Sequence, residues 1–204
     1  MRKDLPAGSV KESNAAKKRH SHEKIQASAA MLLRRDGLKG TSVRKVMAAA
    51  GFTGGGFYAH FPSKDTLVKD AFSCAIQQKR RSLARTLAHA RGSSFLESFL
   101  RAYLTQDHRD NLGESCPYAA LLSELPRASA RMRARVREDF LHGVESFVQR
   151  MGEDGQAGAR EKAIMALCLA FGTLAMSRTL AGFPESDELL RIAASASTYW
   201  RVGK

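Results

Sequence analysis

The sequence has only three cysteines, Cys74, Cys116 and Cys168, odd in number and scattered along 204 residues. That count argues against a disulfide framework and for reduced thiols in a cytoplasmic setting. No apolar run reaches the roughly 18–20 residues of a membrane span. The stretch Ala163–Met176 comes nearest and reads as a buried helix, so no membrane partner is expected. The opening residues carry Arg2, Lys3, Lys11, Lys17, Lys18 and Arg19 without an apolar segment, and no secretory signal is expected there. Alternating strand patterns and internal repeats are absent. His20 and His22 are the only closely spaced histidines, and there is no H-E-x-x-H or Cys/His cluster, so neither a metal nor a cofactor is expected. Ser115-Cys116 lacks the strand and sharp turn of a nucleophile elbow. Cys116 reads as a packing cysteine, with a redox-sensitive thiol as the alternative and an enzyme nucleophile as the weaker one.

Acidic groups are also scarce, and unevenly so. Residues 1–70 hold 14 basic and 6 acidic side chains, whereas residues 71–204 hold 19 and 14. A basic N-terminal third suits a polyanion, nucleic acid before membrane, though a solubilising charge excess would look the same. In place of strands there is helical periodicity throughout, and the expected fold class is all-α. Residues 1–21 are polar and basic and read as a flexible arm. Ile25, Ala29, Leu32 and Leu33 form an apolar stripe that stops at Gly37. Thr41 is placed to cap a short second helix with Val43, Val46 and Met47 inward, and Thr53 to cap a third reaching Phe61. Ser63 caps a fourth helix expected to run from Lys64 to about Ala90. Further helices are expected over about 93–107, 117–125, 129–151, 158–182 and 186–201. The stripe Met132, Val136, Phe140, Val144, Phe147 and Met151 keeps helical spacing.

One segment poses a choice of chemistry: "GFTGGGFYAHFPSK", residues 51–64. Gly51 and Gly56 have P-loop spacing, but Phe57-Tyr58 stands where Lys-Ser/Thr must be, and no strand precedes. A helix-turn-helix fits better: a short helix, a turn at Gly51, and a second short helix whose glycines let the backbone lie close to DNA. Phe57 is expected in the core of this small domain.

Residues 41–72, "TSVRKVMAAAGFTGGGFYAHFPSKDTLVKDAF", resemble the N-terminal DNA-binding domain of TetR/AcrR-type transcriptional regulators. Thr41, Ala50-Gly51, Thr53, Gly55, Tyr58, His60-Phe61, Ser63-Lys64 and Leu67 carry the match, and the close resemblance covers roughly residues 23–72. It implies a helix-turn-helix domain over 22–68 and a helical effector-binding and dimerisation domain over 69–204. It further implies a homodimeric regulator, most simply a repressor released from a palindromic DNA operator by a small-molecule effector. By position, Thr41, Ser42 and Thr53 would meet phosphates, Tyr58 and His60 the DNA backbone, and Lys64 a phosphate beside the fourth helix. Arg44 and Lys45 would face DNA from the outward side of the first motif helix. Gly54, Gly55 and Gly56 would form a bare leading edge, Gly54 and Gly56 standing where family members often carry a side chain. Lys17, Lys18 and Arg19 either follow a phosphate backbone or remain a solvated tail.

The resemblance also implies a cavity, for which Tyr103, His108, Cys116, Tyr118, Phe140, Phe147, Met165 and Cys168 are the candidates; each alone would pass for core. The small residues Ala166, Ala170, Gly172 and Thr173, with Leu189, Ile192 and Trp200, would form the dimer interface, a buried intrachain helix pair being the alternative. A sequence-neutral DNA-coating protein is the remaining rival, distinguished by a steep salt dependence without sequence preference.

Overall fold

The structure is a computed structural model that describes residues 7–152 and 158–201; the side chains of 7–13, 93 and 199–201 lie outside the description. Helices α1 (Ala7–Gly40), α2 (Val43–Ala49), α3 (Lys64–Thr86), α4 (Phe95–Tyr103) and α5 (Gln106–Asp110) come first. They are followed by α6 (Pro117–Leu121), α7 (Ala130–Met151), α8 (Ala159–Thr179) and α9 (Pro184–Ala194). No strand occurs among the described residues, and the fold is all-α.

Helix α1 begins well before the apolar stripe. Residues 7–21, expected as a flexible arm, are helical and continuous with it. Alanine, lysine, arginine and glutamate are strong helix formers, so the segment extends α1 although residues 14–20 are exposed on every side. The stripe then buries Ile25, Ala29, Leu32 and Leu33, and the helix kinks at Gly37 with φ 76°. That positive φ is open to glycine at no steric cost.

The expected second cap shifts by one residue. Ser42, not Thr41, caps α2, its Oγ accepting from the Lys45 amide at 3.3 Å. Thr41 is buried instead, because its hydroxyl donates to the Gly37 carbonyl at 2.7 Å and ties down the kink. After α2 the chain reverses at Gly51, with φ 80°. The third helix is a 3-10 turn, Gly54–Ala59, in place of a helix reaching Phe61. Three glycines give little helix propensity, and the tighter turn closes when the His60 amide donates to the Phe57 carbonyl at 2.9 Å. Phe57 and Phe61 stack at 5.9 Å between ring centres and are buried with Val46, Met47 and Leu67. At about 1.5–3 kcal/mol for each large apolar side chain, these few residues hold the small domain together.

Helix α3 continues past this domain into the larger helical body. It ends at Thr86, earlier than expected, where Leu87 turns inward and its carbonyl accepts from Arg150 at 2.9 Å. The single helix expected over 93–107 is two, α4 and α5, because Thr105 breaks in and caps α5 by accepting from the His108 amide. The segment after Leu121 passes into a 3-10 turn at Leu125–Arg127, and the last expected helix divides into α9 and a 3-10 turn at Ala196–Arg201. Helix α1 packs mainly on α3, while α8 packs on α7 and α9. Side-chain ties join the two parts. The Glu124 carboxylate accepts from the Leu38 and Lys39 amides at 3.1 and 3.3 Å. Ser129 donates to Asp65 at 2.9 Å. Arg34 donates to the Gly113 carbonyl at 2.7 Å and to Gln78 at 2.9 Å.

Candidate nucleic-acid interface and effector cavity

Around the 3-10 turn, the basic and hydroxyl side chains point into solvent. Arg44, Lys45, Thr53, Gly54, Gly55, Tyr58 and Lys64 are all exposed. Tyr58 is 77% exposed, its ring edge-on to Phe57 at 5.1 Å. A tyrosine left this open within an otherwise buried aromatic cluster presents its hydroxyl outward. Thr53 makes no capping bond, so its hydroxyl is also free. Lys64 opens α3, whose first-turn amides are partly satisfied by Ser63. Lys45 is engaged within the chain, donating to the Gly40 carbonyl at 3.1 Å and lying 3.7 Å from Asp36. A Cβ added at Gly54 or Gly55 would meet nothing within 4 Å, and at Gly56 only the Met47 methyl at 3.7 Å. None of the three has positive φ. Nothing inside the chain therefore requires glycine there; the room is on the outside.

Two predicted contact residues are placed less openly. Thr41 is buried, as described above. His60 is half-buried between His22 and Phe52, with Nδ1 buried and without a partner. Burial holds its pKa below the ordinary value, helped by the neighbouring charges of His22 and Lys18. Lys18 thus lies within electrostatic reach of His60, and Lys17, Lys18 and Arg19 form an exposed row on α1.

In the helical body, five of the eight cavity candidates converge. Tyr103, Cys116, Tyr118, Phe140 and Phe147 line one inner cavity of about 80 Å³ between α3, α4, α7 and α8. Residues missed by sequence reasoning complete it: Ile76, Lys79, Arg80 and Leu83 on α3, with Phe99, Leu167 and Phe171. The α3 set follows i, i+3, i+4, i+7 spacing, a signal present in the sequence but masked by its two cations. An apolar slot of about 170 Å³ shares Arg80, Leu83, Phe99, Gly143 and Phe147 and continues the cavity toward Arg150 and His142. On the other side, Lys79 also lines an outer cavity of about 410 Å³ with Arg34, Arg85, Asp107 and His108.

His108 sits at the outer cavity rather than the inner one, and it is a structural histidine. Its Nε2 accepts from the Cys116 amide at 3.0 Å, so Nδ1 must carry the proton that binds the Tyr103 carbonyl at 2.7 Å. Burial, chiefly, lowers its pKa to about 3 and fixes it neutral. Met165 and Cys168 do not belong to the cavity. Both are exposed, because their side of α8 faces away from α7. Ala166 and Ala170 face the opposite way and are buried within the chain's own core, so they are not available to a partner. Gly172, Thr173, Leu189 and Ile192 remain at least partly open, and the Trp200 side chain lies outside the described residues.

A family model for bacterial regulatory proteins of the tetR family matches residues 25–71. No curated relative matches the chain. A TetR transcriptional regulator from Chloroflexus aurantiacus J-10-FL is similar at 28% identity, over 92% of this chain and 97% of that one, with a TM-score of 0.77. A TetR-family regulator from Cytophaga hutchinsonii shares the fold at 17% identity and a TM-score of 0.76, over 99% of this chain and 100% of that one. FadR of Bacillus subtilis, solved in complex with stearoyl-CoA, shares it at 15% identity and a TM-score of 0.60, over 85% and 97%. The helix-turn-helix segment matches the tetR family model, and the whole-chain fold is the one seen in TetR-family transcriptional regulators.

Proposed function

We propose that the protein is a ligand-released repressor that binds a near-palindromic operator as a homodimer. The observation that carries this reading is the turn at Gly54–Ala59, bare on its outer side and ringed by exposed Arg44, Thr53, Tyr58 and Lys64. Such a surface lets backbone and hydroxyl groups approach phosphates, while Arg44 is the side chain free to reach a base edge. Gly54 and Gly56 offer no base contacts, so specificity rests on Arg44, Thr53, the α1 basic row and DNA shape. The ties from Glu124 to the α1 kink and from Ser129 to Asp65 connect the cavity-bearing body to this surface. An effector would act by binding more tightly to the arrangement that does not fit DNA. The fold neighbour that binds stearoyl-CoA supports a ligand in the helical body.

Selection of bound sequences from random DNA, followed by fluorescence anisotropy, tests the reading. A symmetric site should emerge, bound at least a hundredfold more tightly than random sequence at the same salt. Tyr58→Ala and Lys64→Ala should weaken all DNA alike, whereas Arg44→Ala should relax preference at one base step. Equal affinity for selected and random DNA would rule out a specific repressor.

A further inference from the structure

Three cations, Arg34, Lys79 and Arg178, gather around the loop between His108 and Cys116. Among the described residues none of the three forms an ion pair with a carboxylate. Burial pulls the pKa of all three down; Lys79 is lowered further by the like charges of Arg178 and Arg34, with Asp107, Glu114 and Asp110 each acting on one of the three from a distance and offsetting part of the effect. Arg34 is buried and Lys79 and Arg178 are half-buried, so an anion brought against them would find charge that water solvates only in part. The two guanidinium groups are partly compensated by neutral oxygens. Arg34 holds Gly113 and Gln78, and Arg178 holds the carbonyls of His108 and Arg109 together with the Ser115 hydroxyl. Lys79 has no such acceptor among the described residues. Its ammonium lies 5.9 Å from the centre of the Tyr103 ring and makes no hydrogen bond.

Lys79 stands where the outer and inner cavities meet. Beside it the Tyr103 hydroxyl is fully buried without an acceptor, next to the Cys116 thiol. Three charged groups of the slot, Arg80, Asp139 and Arg150, are already engaged. Arg80 donates to the Asp139 carbonyl at 2.7 Å, the Asp139 carboxylate is held by Arg135, and Arg150 donates to Leu87. The remaining wall is Leu83, Phe99, Phe147, Leu167 and their apolar neighbours. The Lys79 ammonium and the buried Tyr103 hydroxyl, whose one polar neighbour there is the Cys116 thiol, therefore mark the polar end of the apolar slot. Its neck, about 80 Å³, is smaller than the roughly 150 Å³ cavity that admits benzene, and so suits a slender chain better than a rigid ring. Asp107 and Glu114 stand on the outer rim, exposed, and would repel an anion that did not pass inward to Lys79.

We infer that the effector is an amphipathic anion, its slender apolar tail in the slot between α3 and α7 and its charged head on Lys79 and the Tyr103 hydroxyl. The assignment rests on the ligand-responsive reading above and names the chemical class that reading leaves open. A carboxylate and a sulfate offer the same head chemistry, and the experiment separates them.

Isothermal titration calorimetry of the full chain would use straight-chain carboxylates of six to twelve carbons, the matching alkyl sulfates, 1-alcohols and alkyltrimethylammonium ions, all below micelle formation. The best anion should bind about tenfold or more tightly than its alcohol, since a charge-assisted contact is lost in the alcohol. Lys79→Met should abolish that difference, the anion losing at least tenfold more affinity than the alcohol, while Lys79→Arg should keep it. The melting temperature of the ligand-free Lys79→Met protein should stay level or rise, because the lysine has only a long contact with the Tyr103 ring to lose and its burial cost is removed; a structural lysine would lower it. Alcohols or ammonium ions binding as tightly as the anions, an anion preference surviving in Lys79→Met, or no binding by any anion would each overturn the assignment. Operator release is scored separately. Lys79-dependent anion binding that left DNA affinity unchanged would uphold the ligand class and refute the ligand-released repressor.

Discussion

His108 is held in a single neutral tautomer. Its two ring nitrogens are committed in opposite senses, to the Cys116 amide and the Tyr103 carbonyl, so the folded chain holds it neutral with a pKa of about 3. The unfolded chain takes up that proton near 6.5, the ordinary histidine value. A depressed folded pKa means that stability is full above about 6.5 and is lost as pH falls toward 3, by up to roughly 1 kcal/mol per pH unit. Chemical denaturation of His108→Gln between pH 7 and 4.5 should show a shallower loss than the wild type; parallel curves would refute the assignment. The glycines of the recognition turn make a second prediction at this scale. Gly54 and Gly55 have room for a Cβ and ordinary φ, so alanine at either should stabilise the fold by a few tenths to about 1 kcal/mol. The same methyl would stand where the backbone meets DNA, and operator affinity should fall several-fold. A gain in stability with unchanged affinity would place the DNA elsewhere.

At the level of elements, the helices were legible where capping chemistry and apolar spacing agreed. Ser63 before α3 and Ser129 before α7 both cap as their sequence implies. Legibility failed where a tertiary partner overrode the local signal. Thr41 has the chemistry of a cap, but the Gly37 kink claims its hydroxyl and leaves the role to Ser42. Met165 and Cys168 have the apolar character of cavity residues, yet only the rotation of α8 against α7 decides that they face outward. Lys79 was overlooked for the converse reason, since a lysine reads as surface until its neighbours close over it. Glu124 is a tie of the same kind, invisible in sequence because its partners are the backbone amides of Leu38 and Lys39. Glu124→Ala should cost about 1–2 kcal/mol in stability, since two amides lose a charged acceptor in a half-buried site. If the tie transmits the effector signal, operator affinity of the variant should respond less to ligand than that of the wild type. A stable variant with an intact response would reduce Glu124 to an incidental contact.

For the whole molecule, the proposed dimer would have to hold two recognition turns at the spacing of successive major grooves, about 34–36 Å. The burial pattern of α8 separates its two faces. Ala166 and Ala170 pack inward, which disposes of them as interface residues, while Met165, Gly172 and Met176 recur on the outer face at helical spacing. Met176 is 52% exposed and Ile192 on α9 is 48% exposed, with Leu189 half-buried between the helices and the core. A Cβ at Gly172 would meet nothing within 4 Å, so a second copy could approach that backbone closely. Exposed apolar side chains grouped on adjacent helices are what a self-complementary two-fold interface requires. Ile192→Asp would place a charge on each side of such an interface, facing its own copy across the axis or burying unpaired against apolar neighbours. Light scattering should then show a monomer of 22.3 kDa where the wild type shows twice that mass. The isolated helix-turn-helix domain would keep its half-site contacts but lose the second tethered site, and operator affinity should drop by about 10²–10⁴-fold. A variant that remained dimeric would move the interface off this face. One that became monomeric with undiminished operator binding would show that dimerisation is not what positions the two turns on DNA.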